Sequence, residues 1–432
     1  MTRAMRLAAL RWLGVVILGA TVAAVAPHVI SRGRPSRSEK SSRADTVSTG
    51  PAIGMPGAPP TTTAGLVQRI NEMEARLRAQ PDDTGAAVLL ADALLRQARA
   101  TTDSRPAGRA SEVLNAALKE HPAQYDALRM LGAIYLSQHR FRDALEVARR
   151  SRNLRPDDAW NYGVMGDAQI ELGEYPAAFD AFDKMMALRP NAAAYARTAY
   201  ARELQGDVEG ALGAMRLAAK AAAPNDVEAQ AWYASQTGEL YLKIHRLGDA
   251  DREFRRAVFL FPNYPLAVIG QGKVQAARGD REGALAIYLE QLKRTPTLDL
   301  AARIGDLYSA QGDAAQAEHY YQLAEELAGP GVAQTEANLA LYLADHDRKL
   351  SEAVTIAETV VAMRHDIFTE DALAWAYYKV GRFEDAYTAS QRALRTGTHD
   401  EAMLARAARI RAAARPAVAR DDRVIADGFA VE

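Results

Sequence analysis

Apolar residues along this chain recur at spacings of three and four, in short runs separated by turn residues. Between Tyr125 and Asp158 the pattern is clearest. Leu128, Leu131, Gly132 and Tyr135 share one helical face, Ala144, Ala148 and Ser151 share a second, and Pro156 ends the second run. The scheme then repeats with Tyr162, Met165, Gly166, Ala178, Phe182, Met185 and Pro190. Such spacings place apolar side chains along one stripe of a helix, so each stretch predicts two amphipathic helices joined by a turn. The periodicity begins near Leu66, where Leu66, Ile70, Met73 and Leu77 fall on one face before Pro81.

The interval is nearly constant. An alanine ladder runs Ala110, Ala144, Ala178, Ala211, Ala250, Ala284, Ala317, Ala353 and Ala386, with steps of 34, 34, 33, 39, 34, 33, 36 and 33 residues. A proline ladder accompanies it at Pro122, Pro156, Pro190, Pro224, Pro262 and Pro296. Small residues at Gly132, Gly166, Gly238, Gly272 and Gly305 let paired helices approach closely. Gly173, Gly206, Gly279, Gly312 and Gly381 sit where a first helix should end in a left-handed cap. Asp207, Asp280 and Asp313 follow in position to cap the second helix. His139 and His245 fill the glycine slot of the turn in their repeats. A fixed period of this length predicts a solenoid whose repeats bury their apolar faces only against neighbours.

The combined columns resemble the tetratricopeptide repeat family over roughly residues 66 to 414. The resemblance implies an all-α fold, a right-handed superhelical solenoid of about nine helix-turn-helix units with a C-terminal capping helix. The expected organisation is an N-terminal hydrophobic segment at 1–30, a Pro/Ser/Gly/Thr linker at 31–63, the solenoid at 64–414 and a flexible tail at 415–432. Departures occur at Thr101 to Gly108, Ala221 to Val227 and Gly329 to Gly331.

What the family implies for function is a protein or peptide segment bound in a concave groove lined by the first helix of each unit. Register places Trp160, Asp167, Tyr200, Glu203, Trp232, Glu239, Asp306, Trp375 and Tyr378 there, with Asp126, Arg129, Lys273, Asp299 and Asp371 at equivalent slots. Aromatic anchors among carboxylates would suit a partner bearing apolar and basic residues. The bland alternative packs the tryptophans between helices and leaves the carboxylates as a solvated face. A clamp for acidic C-termini is disfavoured: the ninth slots read Asp92, Ala133, Asp167, Tyr200, Glu239, Lys273, Asp306, Leu341 and Trp375, with no asparagine.

Composition narrows the field further. The 432 residues carry a formal net charge of −1, which gives no basic excess for nucleic acid. Without cysteine there is no thiolate chemistry. Arg3, Arg6 and Arg11 precede an uncharged run from Trp12 to Ile30, the pattern of a signal peptide or a membrane anchor. The body is therefore expected to be exported or membrane-anchored, with the solenoid extracytoplasmic. The sites with most potential chemistry are Asp345-His346-Asp347, His365-Asp366 and His399-Asp400, which would serve a metal-dependent hydrolase. Adjacent residues seldom converge on one ion, and the repeats leave no room after residue 64 for a fused catalytic domain. The leading expectation is a non-catalytic scaffold without cofactor or metal that assembles an envelope-associated complex. A hydrolase or a self-associating structural element are the alternatives.

Overall fold

The computed structural model describes residues 63–101, 105–224, 226–328 and 337–427. Within them the chain is all-helical, with 20 helices and no strand. It divides into two compact units at Ile134 and Tyr135. The first holds α1 (Thr63–Ala79), α2 (Thr84–Thr101), α3 (Arg105–Glu120) and the start of α4 (Tyr125–Ser137). There α1 packs on α2 and α2 on α3, around Leu90, Leu94 and Leu114, each at most 2% exposed.

The second unit runs from the end of α4 through α5 (Phe141–Leu154), α6 (Ala159–Glu171), α7 (Tyr175–Leu188), α8 (Ala192–Leu204) and α9 (Val208–Ala221). It continues with α10 (Val227–Lys243), α11 (Leu247–Leu260), α12 (Pro265–Arg278), α13 (Arg281–Arg294), α14 (Leu298–Gln311) and α15 (Ala314–Ala328). The last helices are α16 (Ala337–Asp345), α17 (Leu350–Met363), α18 (Ile367–Lys379), α19 (Phe383–Ala393) and α20 (Glu401–Asp427). Each even-numbered helix from α6 to α18 packs on its successor, and α20 packs on α19 and α18.

The spacing of small and large residues explains that pairing. A β-carbon added at Gly166, Gly238, Gly272 or Gly305 would fall within 2.7 Å of Phe182, Phe254, Tyr288 or Tyr321 respectively. In each case the aromatic lies sixteen residues on, in the second helix of the same pair. Phe254 and Tyr288 are 0% and 2% exposed, so this contact sets how closely two helices approach. Between pairs the core continues as a succession of clusters along the chain rather than one central mass.

The turns follow the sequence closely. Asp207, Asp280 and Asp313 accept hydrogen bonds from the backbone N–H of Gly210, Gly283 and Gln316, which satisfies donors that a helix start leaves open. Gly279 adopts a left-handed backbone at φ 87°, and His139 and His245 take the same region at 56° and 57°.

The apolar run Trp12–Ile30, the linker up to residue 62 and the Gly329–Gly331 loop lie outside the described residues. The expectation of an exported or membrane-anchored protein is corrected: among the described residues no helix is long and apolar enough to cross a membrane. At the C-terminus, α20 extends to Asp427, past the boundary at residue 414.

Candidate functional site

The positions expected to line a groove lie on α6, α8, α10, α14 and α18. Trp160 is fixed at the start of α6, where the Asp158 carboxylate accepts from its backbone N–H at 2.9 Å. Asp167 follows two turns later and meets Arg197 of α8, with Nε to Oδ1 at 2.8 Å and Nη2 to Oδ2 at 2.5 Å. The two side chains are 12% and 4% exposed. Burial raises the Asp167 pKa, and the Arg197 guanidinium opposes that shift.

The other carboxylates of that set are paired in the same way. Glu203 of α8 accepts from Lys243 of α10, and Glu239 of α10 accepts from Lys273 of α12 at 2.7 Å. Asp306 of α14 accepts from Tyr321 Oη at 3.0 Å and faces His346 Nε2 at 2.8 Å. Asp371 of α18 accepts from Arg406 of α20 at 2.5 Å. Each carboxylate thus binds a cation or imidazole 30 to 40 residues further along, about one repeat. The acidic column ties successive repeats together.

His346, a candidate metal ligand by sequence, sits in the turn that follows α16. Its Nδ1 lies 2.8 Å from the Tyr342 carbonyl while Nε2 faces Asp306, so both nitrogens face acceptors. Burial by itself would lower its pKa, but the Asp306 hydrogen bond and charge outweigh this and leave the pKa raised. The neighbouring Asp347 accepts from Lys379 at 2.6 Å. Asp366 caps α18 through the N–H groups of Phe368 and Thr369, and Asp400 accepts from the Met403 N–H at 3.2 Å. His346, Asp347, Asp366 and Asp400 of the expected metal set therefore each have a local structural partner. Among the described residues no group of three or more His, Asp or Glu could hold a metal ion.

The aromatic positions separate into two kinds. Trp375 is 4% exposed and stacked on Tyr378 at 4.8 Å between ring centres. It is core. Tyr200 packs against a cluster containing Ile367 and Met403. Trp160 and Trp232 remain half-buried at equivalent slots of α6 and α10, with Trp232 edge-on to Tyr233 at 5.1 Å. These two bring apolar ring surface to the first-helix face.

Sequence reasoning missed a second arrangement. Glu171 at the end of α6 binds Arg364, Nη1 to Oε2 at 3.0 Å, across 193 residues of chain. Asp366 lies on the other side of the guanidinium, 3.2 Å from Nε. The Tyr175 hydroxyl accepts from the Ile367 N–H at 2.7 Å. Burial, reinforced by the Asp366 charge, pushes the Glu171 pKa up to about 8 despite Arg364.

Residues 98–159, 164–227 and 236–298 match the family model described as tetratricopeptide repeat. No curated protein matches the chain. Among solved structures, the human IFIT1 dimer with PPP-AAAA is similar at 14% identity, over 77% of this chain and 79% of that one, with a TM-score of 0.51. Yeast Tom70 is 15% identical over 85% and 89% of the two chains, with a TM-score of 0.45. The Pseudomonas aeruginosa pilF protein is 18% identical over 49% and 94%, with a TM-score of 0.40. At these identities the likeness concerns the fold.

Proposed function

We propose, from the premise that this chain is a tetratricopeptide repeat protein, that it is a non-catalytic scaffold. It binds a segment of another protein on the first-helix face and so assembles a larger complex. The observation that carries this reading is the half-burial of Trp160 and Trp232 at equivalent slots, on a face whose carboxylates already hold cations of the next repeat. Two aromatic rings of this kind supply anchoring area at small conformational cost. Because Asp167, Glu203 and Glu239 are engaged, recognition rests on apolar side chains first, and basic residues of the partner contribute at the rim.

The test is affinity capture with the full chain. Wild type is expected to retain a defined protein that Trp160→Ala and Trp232→Ala lose together, with helix content unchanged by circular dichroism. An unchanged set of captured proteins in both variants would remove these rings from the binding surface.

A further inference from the structure

The turn glycines of this array offer an internal comparison. Gly173, Gly206, Gly279 and Gly312 all adopt φ between 75° and 87°. A β-carbon at Gly279 or Gly312 would meet nothing within 4 Å. At Gly173 it would fall 2.4 Å from the His365 carbonyl oxygen, and at Gly206 2.7 Å from that of Gly397. The α6–α9 turns are therefore covered by the chain's own turns before α18 and α20, whereas the later ones are open.

Helix ends make this contact. Ile367 and Met403, 0% and 2% exposed, stand at the starts of α18 and α20. They pack on Ile170, Tyr175 and Leu204 at the ends of α6, α7 and α8. Such a contact lacks the interlocked ridges that join neighbouring helices along their length. Its polar part centres on Arg364, held between Glu171 and Asp366, with the Ile367 N–H donating to the Tyr175 hydroxyl and Arg395 over the Tyr175 ring.

We propose that the ends of α6, α7 and α8 form a docking surface that residues 364–403 occupy as an intramolecular clasp. It accepts from a partner what those residues supply, an arginine followed three residues later by an aliphatic side chain. Glu171 receives the guanidinium, the Tyr175 hydroxyl receives the backbone N–H of the aliphatic residue, and Ile170 and Leu204 receive its side chain. Charge complementarity and the chain's own segment seated on the surface define that occupant. A partner of this kind displaces the clasp, so occupancy of this surface depends on clasp opening. The proposal rests on the protein-binding reading for the partner alone, because clasp opening is measured without one.

The experiment uses the full chain carrying Arg364→Ala with Ile367→Ala, and a fluorescein-labelled peptide of residues 362–370 as probe. Hydrogen exchange over 365–403 should rise in the variant. The peptide, followed by anisotropy, should bind the variant at least tenfold tighter than wild type. A peptide whose arginine is replaced by alanine, or the variant with Glu171→Gln added, should lose that gain. If the double variant does not fold, Gly173→Ala is compared with Gly279→Ala. Both carry the same left-handed strain, and only the former should raise exchange at 365–403. Unchanged exchange in the opened variants overturns the clasp. Increased exchange without peptide binding, or equal binding to wild type, overturns the docking surface and leaves the scaffold reading to its own test.

Discussion

If the acidic column ties repeats together, removing one member should cost stability rather than binding. The sharpest case is Asp167 with Arg197, since both are nearly inaccessible and share two short hydrogen bonds. Arg197→Met leaves a buried carboxylate without its main cation. Breaking a buried pair from one side costs about 3–5 kcal/mol, whereas replacing both members with apolar residues is often close to neutral. Asp167→Leu with Arg197→Met should therefore recover most of the loss, giving a coupling energy above about 2 kcal/mol. Urea denaturation of the four members of the cycle measures this. Hydrogen exchange of α6 and α8 serves beside it, because a repeat array need not unfold in one step. Single variants within about 1 kcal/mol of wild type, or a coupling energy near zero, would refute the inter-repeat role and return Asp167 to the pool of partner-facing carboxylates.

Further outcomes follow from the same geometry. Phe254, fully buried beneath Gly238 and Gly270, should lose about 3–5 kcal/mol on truncation to alanine, read as a lowered urea midpoint. Gly272→Ala, pressing on Tyr288 at 2.2 Å, should destabilise more than Gly213→Ala, which meets nothing within 4 Å.

The periodic part of this structure was legible because each repeat sees only its neighbours. Gly166 and Phe182, or Gly272 and Tyr288, meet at a constant sequence offset, so one repeat read correctly supplies the others. His139 and His245 were legible for the same reason, as occupants of a slot that elsewhere demands a left-handed backbone. The pair Glu239 and Lys273, one 34-residue step apart, could have been found as opposite charges at matching slots. Arg197 and His346 could not, because their offsets of 30 and 40 residues depend on how each helix is rotated in its pair. Trp375 falls at the ninth slot, seven residues beyond the slot that Trp160 and Trp232 occupy, and with α20 packed on α18 it lies in the core. The clasp left no periodic trace at all: Arg364 and Glu171 meet across 193 residues, where nothing in the repeat pattern relates them.

The measurement that bears most directly on the scaffold reading is site-specific photo-crosslinking in the full chain. A photoreactive phenylalanine analogue replaces Trp232 on the first-helix face or Ala286, exposed on the second helix α13. The account predicts a defined protein adduct from position 232 that is absent from position 286 and disappears when Trp160→Ala is added. No adduct from position 232, or the same adducts from both positions, would contradict it.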